Sequence, residues 1–218
     1  MGKNKKESFI WTSYSDLMTS LFFIMLVLFV LTIALLHSRI VATEGELKKI
    51  QELNTSIEKI DTKYFQYDST FKRHTIKNIN VSFKTGSSNI SDLDSTDIKK
   101  LDAAGLAIRN FMLKAHKDIP EAEYLLIVEG QSSKDFYKYN YELSYSRALS
   151  LVKHWSSSKD PYGRDKKPIT FDDLPCEVII SGSGQASKFR NQPDNAKNKS
   201  NQRFVIHIIP KPGVLDKK

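Results

Sequence analysis

Between Leu17 and Leu36 the chain carries no charged residue (LMTSLFFIMLVLFVLTIALL). A run of that kind is what a helix needs to cross the hydrocarbon of a bilayer, roughly 20 apolar residues. Lys3, Lys5 and Lys6 precede it, as they would in a secretory signal. The apolar centre of such a signal is only about 7–15 residues long and ends at a small-x-small cleavage site, and the run fits neither condition. It reads as an uncleaved membrane anchor. Met1-Gly2 does not open a myristoylation signal, because Lys6 stands where that signal wants Ser or Thr. Arg39, Lys48 and Lys49 follow the run, so the positive-inside rule leaves only a small asymmetry in favour of an N-terminus inside. Trp11 and Tyr14 suit an interfacial aromatic belt at the N-terminal end.

One carboxylate stands at the edge of this run. Asp16, in WTSYSDLMTSLFF, would be costly facing lipid, so it should face a protein partner or a water-filled path. On a helix it shares a face with Thr19, Ser20 and Phe23, which makes a small polar stripe. A carboxylate so placed is able to take up and release an ion. An interfacial aspartate favoured by the helix dipole accounts for the position equally well, and position alone leaves the two readings level.

Beyond the anchor the composition is that of a soluble domain. The 218 residues are 40% hydrophobic and 27% charged, enough for one domain of ordinary size plus something smaller, and too few for a large multidomain enzyme. In the segment Thr43–Lys63, residues Ile50, Leu53, Ile57 and Ile60 form a short a/d seam that Tyr64 continues. That seam either joins two copies of the chain or leans on the domain behind it. Further on, the pattern predicts strands near Ile79–Phe83, Tyr124–Glu129, Cys176–Ser181 and Arg203–Ile208. It predicts helices over Ser95–Lys117, with Ile98, Leu101, Gly105, Ile108 and Met112 on one face, and over Tyr139–Trp155, with Ala148, Leu151, Val152 and Trp155. Strands alternating with helices imply an α/β domain with helices packed on a sheet. Ser156–Pro168 and Gly182–Ser200 read as polar loops.

The chemistry on offer is narrow. The lone Cys176 excludes an internal disulfide, and its place in the alternating run Cys176, Val178, Ile180 makes it a packed thiol. The five histidines (His37, His74, His116, His154, His207) show no metal-ligand spacing. No GxSxG elbow or Walker A motif occurs, and Gly182-Ser183-Gly184 reads as a turn rather than a phosphate loop. Nothing assembles a nucleophile, a base and an oxyanion donor, so neither an enzyme nor a cofactor is expected. The formal charge of +8 comes from 33 basic residues interleaved with 25 acidic ones, without an aromatic RNA platform, so no nucleic-acid partner is expected.

Two stretches resemble known families. WTSYSDLMTSLFFIMLVLFVL is similar to the membrane segment of MotB-like stator subunits, where an aromatic and a short spacer precede Asp-Leu-Met-Thr and the apolar run. Val128-Glu129-Gly130, followed by Tyr139-Asn140-Tyr141-Glu142-Leu143-Ser144-Tyr145-Ser146-Arg147-Ala148, resembles the OmpA-like peptidoglycan-binding domain. Gly182-Ser183-Gly184-Gln185 looks like that family's Gly-x-Gly-Glu loop, and Asn201-Gln202-Arg203 like its closing Asn-Arg-Arg.

The resemblance implies an α/β sandwich of mixed sheet and helices, carried by a single transmembrane helix and a short helical linker. The implied partition is a cytoplasmic tail over 1–10, the membrane helix over 11–37, a helical, plug-like linker over 38–76 and a periplasmic domain over 77–218. It implies a subunit of an ion-driven motor in the bacterial inner membrane, with a homodimer inside a ring of MotA-like partners. Asp16 would carry protons or sodium ions, with Thr19 and Ser20 lining the path, and the C-terminal domain would hold peptidoglycan. The family's wall site pairs an aspartate after the strand with the arginine of the following helix. Here Ser133 occupies the aspartate position while Arg147 is kept, and Asp135 lies two residues on, so the resemblance implies altered wall binding through Arg147, Asn140, Ser133, Asp135 and Arg203. That departure, with the wording from Tyr14 to Phe23, is closer to the Zorya anti-phage motors than to flagellar stators. A passive membrane-to-wall tether is the competing reading, and it gives Asp16 no task.

Overall fold

The computed structural model describes residues 3–120, 122–157, 168–186 and 190–211. Most of the polar loop expected at Ser156–Pro168, together with residues 187–189 of the loop expected at Gly182–Ser200, lies outside the described residues. The chain divides into two compact units, Met1–Lys49 and Ile50–Lys218.

The first unit belongs to helix α1, which runs Lys3–Glu58. It is the one helix among the described residues long and apolar enough to cross a membrane, and no part of its apolar window is buried. Leu17, Phe22, Phe29 and Leu36 are each more than half exposed, and their exposure runs all round the helix rather than along one stripe. A helix apolar on every side has no favourable face to show to water, and a bilayer is the solvent that removes the penalty. Inside the run the hydroxyls satisfy themselves: Thr19 Oγ1 donates to Ser15 O at 2.7 Å, Ser20 Oγ to Asp16 O at 2.7 Å and Thr32 Oγ1 to Leu28 O at 2.7 Å.

The second unit begins on the last turns of the same helix. Leu53, Ile57 and Ile60 are buried in its core, so here the a/d seam leans on the domain that follows it. The segment expected as a helical linker stops being helical after Glu58 and forms a hairpin, β1 (Phe65–Asp68) and β2 (Arg73–Ile76). Lys72 turns the chain at φ 48°. Helix α2 (Ser95–Asp118) follows, capped by the Asp94 carboxylate, which accepts from Thr96 N at 2.9 Å. Then come β3 (Tyr124–Gln131), α3 (Asn140–Ser157), β4 (Cys176–Gly184) and β5 (Arg203–Pro210).

The five strands form one mixed sheet in the order β1-β2-β5-β3-β4. β3 and β4 are parallel, joined by a crossover through α3, and the other neighbours are antiparallel. Tyr124, Leu126 and Val128 on β3 and Phe204, Ile206 and Ile208 on β5 face the core, where they meet Leu101, Ile108 and Met112 of α2 and Leu151 and Trp155 of α3. Trp155 Nε1 donates to Leu101 O at 2.9 Å, tying the two helices together.

One strand expectation and one turn expectation need correction. Ile79–Phe83 forms no strand: Val81 and Phe83 are buried, but the segment pairs with no neighbour among the described residues. Alternation there records one buried face, not a ladder. Gly182-Ser183-Gly184 is not a turn but the end of β4, where α3 lies almost on the sheet. A Cβ on Gly182 would stand 2.3 Å from Tyr145 N, and one on Gly130 would stand 2.1 Å from Ser144 O. Only glycine permits that approach.

Candidate functional site

In the first unit Asp16 lies on the exposed surface of α1, beside Thr12, Ser13, Ser15 and Thr19. Among the described residues nothing in the chain neutralises its carboxylate. The Thr19 and Ser20 hydroxyls expected beside it are turned back on the helix backbone, where they donate to Ser15 O and Asp16 O.

In the second unit Ser133, Asp135, Asn140 and Arg147 converge on one cleft of about 180 Å³. Asn140 and Arg147 stand seven residues apart, two turns of α3, which puts them on one side of the helix. The segment after β3 brings Ser132, Ser133 and Asp135 to face them, and the irregular stretch around Phe83 closes the third side. Asp135 is held in place: Asn140 Nδ2 donates to its Oδ1 at 2.8 Å, Tyr137 N donates to the same oxygen at 3.0 Å, and Ser133 Oγ reaches Oδ2 at 3.4 Å. A carboxylate therefore stays in the cleft although Ser133 fills the position where the resembled family has its aspartate.

Arg147 is 4% exposed and lies over the Phe83 ring at 4.4 Å, with Nε donating to Ser87 O at 3.0 Å. Burial pushes its guanidinium down to about 10, against the pull of Asp135 and Tyr137, and it stays charged at any ordinary pH. The remaining guanidinium N–H groups form a planar fork suited to a carboxylate. Ser132 Oγ, buried in the wall of the cleft, has no hydrogen-bond partner among the described residues. Its volume admits one amino-acid-sized group, with an anion toward Arg147 and a cation toward Asp135.

Arg203 does not join this cleft. Its Nε donates to Gln131 Oε1 at 2.9 Å on the other face of the sheet, and it lines a separate, basic cleft. Gln131 leads in turn to Glu129, which accepts from Gln131 Nε2 at 2.9 Å, from Ser183 Oγ at 2.5 Å and from His207 Nε2 at 3.0 Å. Burial alone would raise the Glu129 carboxyl, but the hydrogen bonds from His207, Gln131 and Ser183 hold it down at about 2. This network is a structural brace. Cys176 is packed against the core, with burial pushing its thiol up to about 11, so it offers no nucleophile.

Sequence reasoning missed Phe83, Ser132 and Gln202 in the cleft. Gln202 was visible in the closing motif, and its Nε2 donates to Ser133 Oγ at 2.9 Å. The side of the cleft around Phe83 carried no motif at all.

Fold and site together define an α/β domain that follows a helix long and apolar enough to cross a membrane, with a small cleft that sets a guanidinium against a carboxylate. No protein-family model and no curated protein sequence matches the chain. Among solved structures it is similar to the periplasmic domain of Helicobacter pylori MotB, at 14% identity over 67% of this chain and 88% of that one, with a TM-score of 0.39. A MotB-like protein from Desulfovibrio vulgaris is similar at 12% identity over 77% of this chain and 96% of that one, with a TM-score of 0.43. The OmpA-like domain of a Francisella tularensis protein is similar at 16% identity over 67% and 79%, with a TM-score of 0.34. At these values the likenesses carry no functional argument, which rests instead on the residues themselves.

Proposed function

We propose that this chain is a stator subunit of an ion-driven motor, anchored by α1 in the bacterial inner membrane with its N-terminus cytoplasmic. The observation that carries the reading is Asp16: a carboxylate at the head of a fully exposed apolar helix, with nothing in the described chain to neutralise it. A passive anchor has no use for a charge that costs several kcal/mol in hydrocarbon. A ring of MotA-like partners around two copies of the helix would enclose Asp16 in a path where protons or sodium ions bind and leave. The second unit, on the far side of the membrane, takes peptidoglycan at the Arg147 cleft and holds the stator still. Retention of Arg147, with Asp135 replacing the carboxylate lost at Ser133, supports a modified wall site rather than an absent one. The same departure supports the anti-phage branch of these motors over the flagellar one, and a MotA-like gene beside helicase- or nuclease-like genes would bear that out.

The test is Asp16→Asn in the full chain co-expressed with its MotA-like neighbour, with ion flux and whole-cell phenotype followed and assembly checked. Loss of flux with assembly intact is the expected result. Unchanged activity overturns the motor and leaves the tether, which pull-down on purified sacculi with Arg147→Gln as control would then assess on its own.

A further inference from the structure

The face of the sheet turned away from α2 and α3 carries a second cleft, of about 680 Å³, that the motor reading does not use. Arg73, Arg190, Arg203 and Lys199 line it, opposed by a single lining carboxylate, Asp68. Three independent elements deliver the guanidinium groups: Arg73 from β2, Arg203 from β5, and Arg190 from the segment between β4 and β5. Each is held in place. Arg73 Nε donates to Asp68 Oδ2 at 3.3 Å, Arg203 Nη1 to Asn191 Oδ1 at 3.3 Å, and Arg190 donates from Nη2 to Ser132 O at 2.7 Å and from Nε to Asp194 Oδ1 at 2.7 Å.

Two of these groups are already in ion pairs, Arg73 with Asp68 and Arg190 with Asp194, which leaves four basic side chains against two carboxylates. Burial, and then the charges of Arg73 and Arg190, push the Arg203 guanidinium down from the ordinary arginine value, while Glu129 and Asp68 pull it back up. The remaining excess of positive charge favours an anion, and planar guanidinium forks match the oxygens of a phosphate. The volume is several times that of a phosphate group, leaving room for whatever carries it.

We propose that this cleft is a binding site for a phosphate group bearing two or more negative charges, gripped by Arg203 and Arg73 with Lys199 at the mouth. It is separate from the Arg147 cleft, although Gln202 and Lys199 border both.

The experiment titrates inorganic pyrophosphate into the full chain in zwitterionic nanodiscs by calorimetry. Saturable binding of one pyrophosphate per chain is expected, weakened about tenfold or more by Arg203→Gln, which removes a charge-assisted pair of hydrogen bonds. Lys199 is exposed, and Lys199→Gln keeps the fold intact while weakening binding about twofold. Arg147→Gln should leave pyrophosphate binding unchanged, which separates this site from the wall-binding reading. A repeat in nanodiscs containing phosphatidylglycerol identifies the source: lost binding means that lipid headgroups fill the cleft, and retained binding means a non-lipid phosphate. Absence of saturable binding, indifference to both Arg203→Gln and Lys199→Gln, or loss on Arg147→Gln overturns the proposal.

Discussion

The two units treat charge in opposite ways. In the second, every buried ionised group described above has a partner in the chain: Glu129 takes three donors, and Arg147 has a carbonyl and an aromatic face. In the first, Asp16 has none among the described residues, and the helix around it buries nothing. A self-sufficient charge network holds a shape, whereas an uncompensated carboxylate on an apolar helix is completed by something that arrives. On the proposed function the first unit is half of an interface, whereas the second meets its buried charges from within. Substitutions that are harmless in one should therefore be damaging in the other.

The largest such effect is expected at Gly182. Adding one methyl places it 2.3 Å from Tyr145 N, a backbone atom of α3 that cannot step aside without lifting the helix off the sheet. Gly182→Ala should cost several kcal/mol, of the order of the worst overpacked cores, and leave the second unit unfolded or molten. Circular dichroism of the full chain, with a thermal melt, reads this directly. A cooperative melt near that of the parent would mean that α3 is not pressed on β4 as described.

A middle-sized effect comes from two buried titrating groups in the second unit. His74 donates from Nε2 to Ile57 O at 3.0 Å, and burial pushes it down to about 4, so it is neutral in the fold while the unfolded chain would protonate near 6.5. The unfolded state then binds more protons, and stability falls as pH drops from about 6.5 to about 4, by roughly 3 kcal/mol in all. Glu129 runs the other way in charge but the same way in pH. Held at about 2 against an ordinary value of 4.5, its contribution is complete above about pH 4.5 and lost on the way down to about 2. Urea unfolding of the full chain, followed by hydrogen exchange of core amides, should show two successive acid losses. His74→Gln, which keeps a donor for Ile57 O but does not titrate, should erase the first loss alone, and Glu129→Gln the second. A single loss below pH 4 that ignores His74→Gln would show that the ring is hydrated.

The sequence disclosed the parts whose periodicity and burial agree. The α2 stripe through Leu101, Ile108 and Met112 and the α3 stripe through Ala148, Leu151 and Trp155 are core in the structure, because a helix packed on a sheet buries one residue in three or four. β3 alternates because one face meets those helices and the other meets the Glu129 network. The hairpin Phe65–Asp68 and Arg73–Ile76 stayed hidden, since two four-residue strands, with Gln66, Asp68, Arg73 and Thr75 on one face and Phe65, Tyr67, His74 and Ile76 on the other, are too short for their alternation to stand out. Ile79, Val81 and Phe83 show the converse, an alternation produced by burial without a strand. At the cleft, Asn140 and Arg147 were readable from their helical spacing, but Ser87 O and the Phe83 ring come from an irregular segment whose path only tertiary packing decides. Arg203 was grouped with them by motif and is separated from them by the sheet.

The smallest prediction turns the glycine comparison around. Gly45 sits in the interior of α1 with no heavy atom within 4 Å of a would-be Cβ, so Gly45→Ala meets open space where Gly182→Ala meets backbone. In an exposed helix interior the exchange gains about 1 kcal/mol, because alanine gives up less backbone freedom than glycine on becoming helical. The gain is local and belongs to the first unit. The melt of the second unit should therefore not move, while amides within a turn of residue 45 should exchange about fivefold more slowly, the ratio that such an energy corresponds to. Unchanged exchange would mean that those turns are already held by more than their own propensity, as they would be with a partner helix packed against them. Faster exchange would mean that the added methyl collides with such a partner. Either result would place a protein neighbour along α1 well past the Asp16 end, which the isolated chain does not show.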